Sequence, residues 1–395
     1  MTNRALILAA LADGPGRLDG PLVARDTELM AAGLRALGVG IHDSGTGSWR
    51  VTPAPLYGPA SVDVGNAGTV MRFLPAAAAL ARGPVRFTGD PRAAERPIGP
   101  LVEALRVLGV EVSGDRMPLS VFGTGAVPGG EARLDASRSS QFVSALLLAG
   151  ARYDKGVTVV HDGPPVPSLP HIAMTVQMLR QAGVVTDDDE TGRWSVEPGV
   201  LTGRCWTVEP DLSNAAPFLA AALVTGGQVR VPRWPTETTQ AGAVLPELLT
   251  RMGAQTEWTE DGLVLRGTGA VHGLDADLHD VGELTPVLAA VCALASTPSH
   301  LTGIAHLRSH ETDRLAALAT ELNALGGRVT ETEDGLRIVP ANLHGGPVAT
   351  YDDHRLATAA AVLGLAVPGI MVRDIETTAK TMPDFPDLWT TMVAS

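Results

Sequence analysis

The chain has 395 residues, a length that fits two or three domains, and 45% of it is apolar with only 4% aromatic. Its 30 basic and 43 acidic residues leave a net charge of −13, a field that repels nucleic acid and anionic membrane surfaces and excludes both as general partners. No apolar run approaches the roughly 20 residues of a membrane span, and Cys205 and Cys292 sit in ordinary apolar or strand-like runs without metal-ligand spacing, which points to a reducing cytoplasm.

In chain order, the first helix begins at Thr2 with no strand before it. The alternating run Ala60–Val64 predicts a strand, Gly65-Asn66-Ala67-Gly68 a turn, and Val70–Leu80 an apolar helix with Arg72 in its first turn. Strand, glycine-rich turn and helix start leave backbone N–H groups aimed at one spot, which suits an anion. Asp90–Pro97 leads into a helix for which Pro97 suits the first position, with Arg92 and Arg96 bracketing the start. Asp135–Gln141 precedes the helix Phe142–Leu148. Ser139, Ser140 and Gln141 there read either as a neutral phosphate cradle or as an N-cap cluster. Ser168-Leu-Pro-His171 opens the next helix in the same style.

Farther on, Glu283 stands before an almost wholly apolar helix, either as a dipole partner or as an acid facing a cleft. His306–Arg314 is the densest polar cluster. On the helix it opens, Glu311 and His310 are expected to share a face with Arg314 at i,i+3 and i,i+4 spacing. A carboxylate among cations is a candidate acid/base group. Tyr351–Arg355 leads into an Ala-rich helix from Leu356, and Lys380 precedes the last helix.

Two patterns recur at about seventy residues. One is an amphipathic helix ending in glycine (Gly38, Gly109, Gly183, Gly253, Gly326), each glycine a predicted C-cap. The other is a helix apolar almost all round, then a short turn and a β-rich run, centred on Gly16, Gly83, Gly156, Gly227, Ser299 and Gly369. The fold class that follows is α/β, six β-α-β-α-β units with the second set of helices buried and strands outside. The chain falls about 30 residues short of six complete units, an expected absence of one strand and its loop that would close the last unit. The proline-rich Val231–Thr239 breaks the periodicity and sets an expected domain boundary, 1–231 and 232–395, with three repeats on each side. Arg72, Arg96, Arg314, Arg355 and Lys380 all gather at helix entries. In so acidic a chain they imply a site for strongly anionic small molecules, shared by two domains that close on each other.

The runs GNAGT…R, ERPIG, SSQF, Glu311-Thr-Asp-Arg314, DHR at 353–355 and TAKT at 378–381 resemble, in order and spacing, the enolpyruvylshikimate-phosphate synthase family. The resemblance covers essentially the whole chain. It implies two similar domains of the inverse α/β barrel type, no metal or organic cofactor, a cytoplasmic monomer, and transfer of enolpyruvyl from phosphoenolpyruvate to the 5-hydroxyl of shikimate 3-phosphate in the pathway to chorismate and the aromatic amino acids. By position it implies that Ser139, Ser140 and Ser168 hold the shikimate phosphate with Gln141 over the ring, and that Arg4 meets the carboxylate. Arg96, Arg314, Arg355 and Lys380 would clamp phosphoenolpyruvate, with Gln141 and the Asn66–Gly68 turn. Glu283 stands where the family commonly has an aspartate base, and Glu311 matches the glutamate implicated in proton transfer. The first domain is then mainly the shikimate-phosphate side and the second mainly the acid/base and phosphoenolpyruvate side.

Three departures accompany the resemblance. The family's Pro-Gly-Ser-Lys-Ser type run before the first helix has no counterpart ahead of Met1-Thr-Asn-Arg4, so impaired activity is an expectation. His310 stands where many members have lysine and His306 where many have asparagine, which makes both shikimate-phosphate contacts by position and His310 a catalytic candidate. Glu283 lengthens the presumed base by one methylene. The alternative reading is a non-catalytic or substrate-shifted relative that binds phosphorylated small molecules.

Overall fold

The computed structural model describes all residues, Met1–Ser395. Twelve α-helices alternate between two environments. The odd-numbered set is α1 Thr2–Ala10, α3 Gly68–Ala78, α5 Gln141–Gly150, α7 Ala216–Thr225, α9 Thr285–Ala293 and α11 His354–Ala366; every residue of α1 and of α9 is buried. The even set is α2 Arg25–Ala36, α4 Gly99–Val107, α6 Pro170–Gln181, α8 Leu245–Arg251, α10 Arg314–Ala324 and α12 Phe385–Ala394, and these bury one face or less. The segregation follows from side chains: Ala, Leu and Val on all sides leave a helix no face to turn to water.

Six small sheets accompany the helices. In a complete unit a strand crosses through a buried helix to a parallel neighbour, as Ala60–Asp63 crosses through α3 to Arg82–Thr88. An outer helix and an antiparallel hairpin, Glu111–Ser113 and Leu119–Thr124, complete the sheet. Four sheets have four strands, the fourth in chain order has three and the sixth has two. The first sheet takes its parallel partner from far along the chain, because Gly16–Asp19 pairs with Cys205–Thr207. The five expected C-cap glycines all adopt positive φ, from +88° at Gly326 to +113° at Gly253. No helix is long and apolar enough to cross a membrane.

The chain divides into two compact units, Met1–Val208 and Glu209–Ser395, each holding three sheets and its own apolar core. The division falls after Val208, not after Val231. Gln228–Pro232 is a strand paired along its length with Gly262–Arg266, so Pro232 ends an edge strand and Pro235 lies in the loop that follows it. Helix starts also shift. Pro97 is not the first residue of α4, which opens at Gly99 with Pro100 inside its first turn. Because α3 begins at Gly68, Arg72 stands one turn in. His310 and Glu311 precede α10 instead of lying on it, since Asp313 takes the N-cap and accepts the Ala316 N–H.

Helix α2 passes α3 closely at Gly33, where a β-carbon would meet Leu74 Cδ1 of α3 at 2.4 Å and Val62 Cγ1 at 3.0 Å. Gly33→Ala is expected to destabilise the protein by about 1–3 kcal/mol through overpacking; urea unfolding checks this, and an unchanged midpoint would mean that the helices separate freely there.

Candidate active site

In the first unit a cluster forms where α3 and α5 begin. Arg96 is 6% exposed and donates from Nη1 to the Asn66 backbone oxygen at 2.6 Å and to Asn66 Oδ1 at 3.0 Å, which fixes the Gly65–Gly68 turn. Arg72, on α3, donates to Gln141 Oε1 at 2.8 Å and to the Pro97 carbonyl at 2.9 Å. Its guanidinium also lies over the Phe142 ring. Gly68 is the hub. A β-carbon there would meet Arg96 Nη2 at 2.8 Å, Arg72 Nη1 at 3.0 Å and Gln141 Oε1 at 3.1 Å. Asn66, Gly68, Arg96 and Gln141, singled out from sequence, therefore converge.

Ser139 and Ser140 sit beside Gln141 at the start of α5, and the Gln141 N–H donates to Ser139 Oγ at 3.3 Å. Ser168 holds a left-handed φ of +56° before α6, and its carbonyl accepts from His171. Arg4 bonds elsewhere in the protein. Its Nε donates to Thr175 Oγ1 at 2.7 Å and Nη2 to the His171 carbonyl at 3.0 Å, and the guanidinium lies over Phe73. Burial lowers its pKa to about 10. Arg4 thus ties α1 to α6, the helix that Ser168 precedes. Ser144, in the apolar α5, and Thr175, on the buried face of α6, are wholly buried and take part in this network. Their only sequence signal is hydroxyls inside otherwise apolar runs.

In the second unit Arg314, 2% exposed, stands at the centre. It grips the wholly buried Asp353 at two points, Nε to Oδ2 at 2.7 Å and Nη2 to Oδ1 at 3.2 Å, and donates to Glu311 Oε2 at 3.0 Å and to His310 Nδ1 at 3.3 Å. Burial would lower the Arg314 pKa, but the carboxylates of Asp353 and Glu311 outweigh it and hold the group above its ordinary value. The Lys380 ammonium bonds the other oxygen of Glu311, so one carboxylate is shared by two buried cations. Asp353 also caps α11 by accepting the Arg355 N–H at 2.9 Å. The Arg355 guanidinium is partly exposed and has no acceptor in the protein. Glu283, in a short 3-10 turn ahead of α9, accepts from Ser213 Oγ at 3.3 Å. Asp353 went unassigned in the sequence, although an Asp directly before an Ala-rich helix is an N-cap signal.

His306 packs its ring between His279 and His310, at centroid separations of 5.9 and 5.8 Å. Burial, then the charges of His279 and Arg314, lower its pKa to about 4, opposed by a hydrogen bond that the ring donates to the Gly303 carbonyl.

The family model of EPSP synthase (3-phosphoshikimate 1-carboxyvinyltransferase) matches residues 1–389. The chain belongs to the EPSP synthase family. An EPSP synthase from Acinetobacter baumannii superposes with a TM-score of 0.82 at 26% identity over 99% of this chain and 93% of that one. A second structure of the Acinetobacter baumannii enzyme gives 0.79 at the same identity and coverage. The enolpyruvyl transferase NikO from Streptomyces tendae shares the fold, with a TM-score of 0.76 at 19% identity over 99% of this chain and 92% of that one. Membership carries the two-domain inverse α/β barrel architecture and the activity of a 3-phosphoshikimate 1-carboxyvinyltransferase, which transfers enolpyruvyl in the shikimate pathway of aromatic amino-acid biosynthesis and takes phosphoenolpyruvate and shikimate 3-phosphate.

Two expectations follow. Gly68→Ala pushes a methyl group into the Arg96–Arg72–Gln141 hub and is expected to raise the KM for phosphoenolpyruvate by about tenfold or more; steady-state kinetics reads it. For His306, the folded pKa lies below the unfolded 6.5, so between about pH 6.5 and 4 the unfolded chain binds a proton that the folded chain refuses. Stability contributed by the neutral ring is therefore complete above 6.5 and falls on acidification. His306→Asn is expected to flatten that part of the pH–stability profile, and an unchanged slope would remove His306 as its source.

Proposed function

We propose that the second unit supplies the proton-transfer chemistry of enolpyruvyl transfer, with Glu311 as the group that serves the methylene carbon of phosphoenolpyruvate and Glu283 as the base for the attacking hydroxyl. The observation that carries this reading is the sharing of Glu311 between Lys380 and Arg314, with the acceptor-free Arg355 guanidinium on the adjoining helix. Phosphoenolpyruvate brings a carboxylate and a phosphate. These compete for Arg314, Arg355 and Lys380 and loosen Glu311 from its cations, which leaves that carboxylate able to accept and return a proton. Once loosened, Glu311 takes a proton from solvent and delivers it to the methylene carbon, which makes the neighbouring carbon electrophilic. The 5-hydroxyl oxygen of shikimate 3-phosphate bonds to that neighbour while Glu283 takes the hydroxyl proton. The tetrahedral adduct then loses a methyl proton to Glu311 as its carbon–oxygen bond to phosphate breaks. His310, bonded to Arg314, is positioned to adjust this exchange.

The first unit's share is anion binding. Arg96, Asn66, Gly68 and Gln141 contribute to phosphoenolpyruvate. Ser139, Ser140 and Ser168 supply hydroxyls for the shikimate phosphate, with His306 of the second unit a further contact for that substrate. Arg4 is assigned the shikimate carboxylate, reached through the α1–α6 network that it organises. The protein works in the cytoplasm as a monomer in this reading.

Phosphate release from phosphoenolpyruvate and shikimate 3-phosphate tests the assignment. Glu311→Gln is expected to keep phosphoenolpyruvate affinity within a few-fold and to slow turnover by about 10²–10⁴; Lys380→Ala is expected to weaken phosphoenolpyruvate binding by calorimetry by about tenfold or more. Wild-type turnover in Glu311→Gln would take that residue out of proton transfer, and unchanged affinity in Lys380→Ala would take the lysine out of the anion site.

A further inference from the structure

The first unit holds a second constellation at the other ends of its buried helices. Past the C-termini of α1, α3 and α5 the chain runs through Leu11–Asp13, Leu80–Arg82 and Ala151–Arg152, and these exits line one cavity of about 420 Å³. The three charged residues occupy corresponding places in successive repeats, as Ala12-Asp13-Gly-Pro, Ala81-Arg82-Gly-Pro and Ala151-Arg152. The repeat architecture thus brings one carboxylate and two guanidinium groups to the lining of one cavity, at the other end of α3 from the Gly68 hub and so about 16 Å away, the length of that eleven-residue helix.

Both guanidinium groups are exposed and neither has an acceptor in the protein. Elsewhere in the unit Arg17, Arg106, Arg133 and Arg180 each pair with a carboxylate. Arg82 is also guided to its place. Gly125, at φ +92°, leaves the room along which its side chain runs, since a β-carbon there would come within 2.9 Å of Arg82 Cγ and 3.0 Å of its Nε. Asp13 spends Oδ1 on the Gly203 N–H at 2.9 Å. Leu11, Leu56 and Leu80 supply an apolar wall. Two guanidiniums against one carboxylate leave one net positive charge beside apolar surface, in a cavity within the size range of small-molecule pockets.

We propose that this cavity binds a small organic monocarboxylate, its carboxylate on Arg82 and Arg152 and its apolar body against Leu11, Leu56 and Leu80. Helix C-termini present carbonyl dipoles that repel an anion, so the two arginines carry the attraction alone. The contrary reading, that they only offset those dipoles, predicts no ligand.

Benzoate is the probe. It is titrated into the full chain with methyl-labelled leucine while NMR reads the methyl groups of Leu11, Leu56 and Leu80, which separates this cavity from the substrate-binding residues. Saturable shifts at these methyls are expected. Affinity should fall about tenfold or more in Arg82→Ala/Arg152→Ala, and phosphate release from the two substrates should continue at the wild-type rate. Asp13→Asn keeps the acceptor for Gly203 and removes the negative charge, so it should tighten benzoate about threefold; this variant serves if the double one does not fold. No saturable shift, unchanged affinity in the double variant, unchanged or weaker affinity in Asp13→Asn, or equal affinity for inorganic phosphate would each overturn the proposal.

Discussion

A helix that is apolar on every side cannot lie on a surface, and this constraint governs both halves of the molecule. Residues such as Ala76–Ala79, Leu146–Leu148 and Leu288–Val291 offer no polar stripe, so each such helix must be wrapped. Small sheets and a second set of helices do the wrapping, and alanine lets the wrapped helices approach closely. Polar chemistry is then concentrated toward the helix ends, and a polar side chain within them, such as Arg4 or Ser144, is held by hydrogen bonds to its neighbours. The entries of α3, α5 and α11 therefore hold polar or charged groups, where unpaired N–H donors already favour anions.

Buried charge at those ends is held by mutual satisfaction. Arg314 is tolerable only because Asp353 meets it at two points and Glu311 at a third; removing one partner of such a set leaves an uncompensated charge, which costs far more than the pair contributes. The same bonds set geometry. Asp353 is at once the cap of α11 and the anchor of Arg314, so the position of the guanidinium is referred to a helix axis instead of a loop. In the first unit Arg96 does the converse, holding the Asn66 turn in place through backbone and side chain together.

Much of this was legible in the sequence because it rests on periodicity. The all-apolar helices, the C-cap glycines and the count of six units are written as composition and spacing, and the structure has six sheets with the odd helices buried. The convergence of Gly68, Arg96 and Gln141 was indicated by helix starts and by family resemblance. What escaped depends on contacts that spacing does not encode. Pro210 after Val208 is a fainter signal than the two prolines of 231–239, yet the unit ends at Val208, since Cys205–Thr207 is consumed by the first sheet. Glu311 and His310 reach Arg314 from the bend that precedes α10 instead of from a helical face. The Ser144–Thr175–Arg4 chain joins residues far apart in sequence, and nothing local announces it.

The seam between Gly16–Asp19 and Cys205–Thr207 makes the first unit a closed ring of three repeats. During synthesis, the strand that opens this ring leaves the ribosome long before the one that seals it. At about 5–20 residues per second, the intervening stretch takes roughly 10–40 s to emerge, and throughout that time α1 lacks part of its enclosure. A nascent chain of this design carries a sticky, unfinished layer for the whole translation of its first half. Its yield in a cell is thereby tied to whatever shields such surfaces until the ring is sealed.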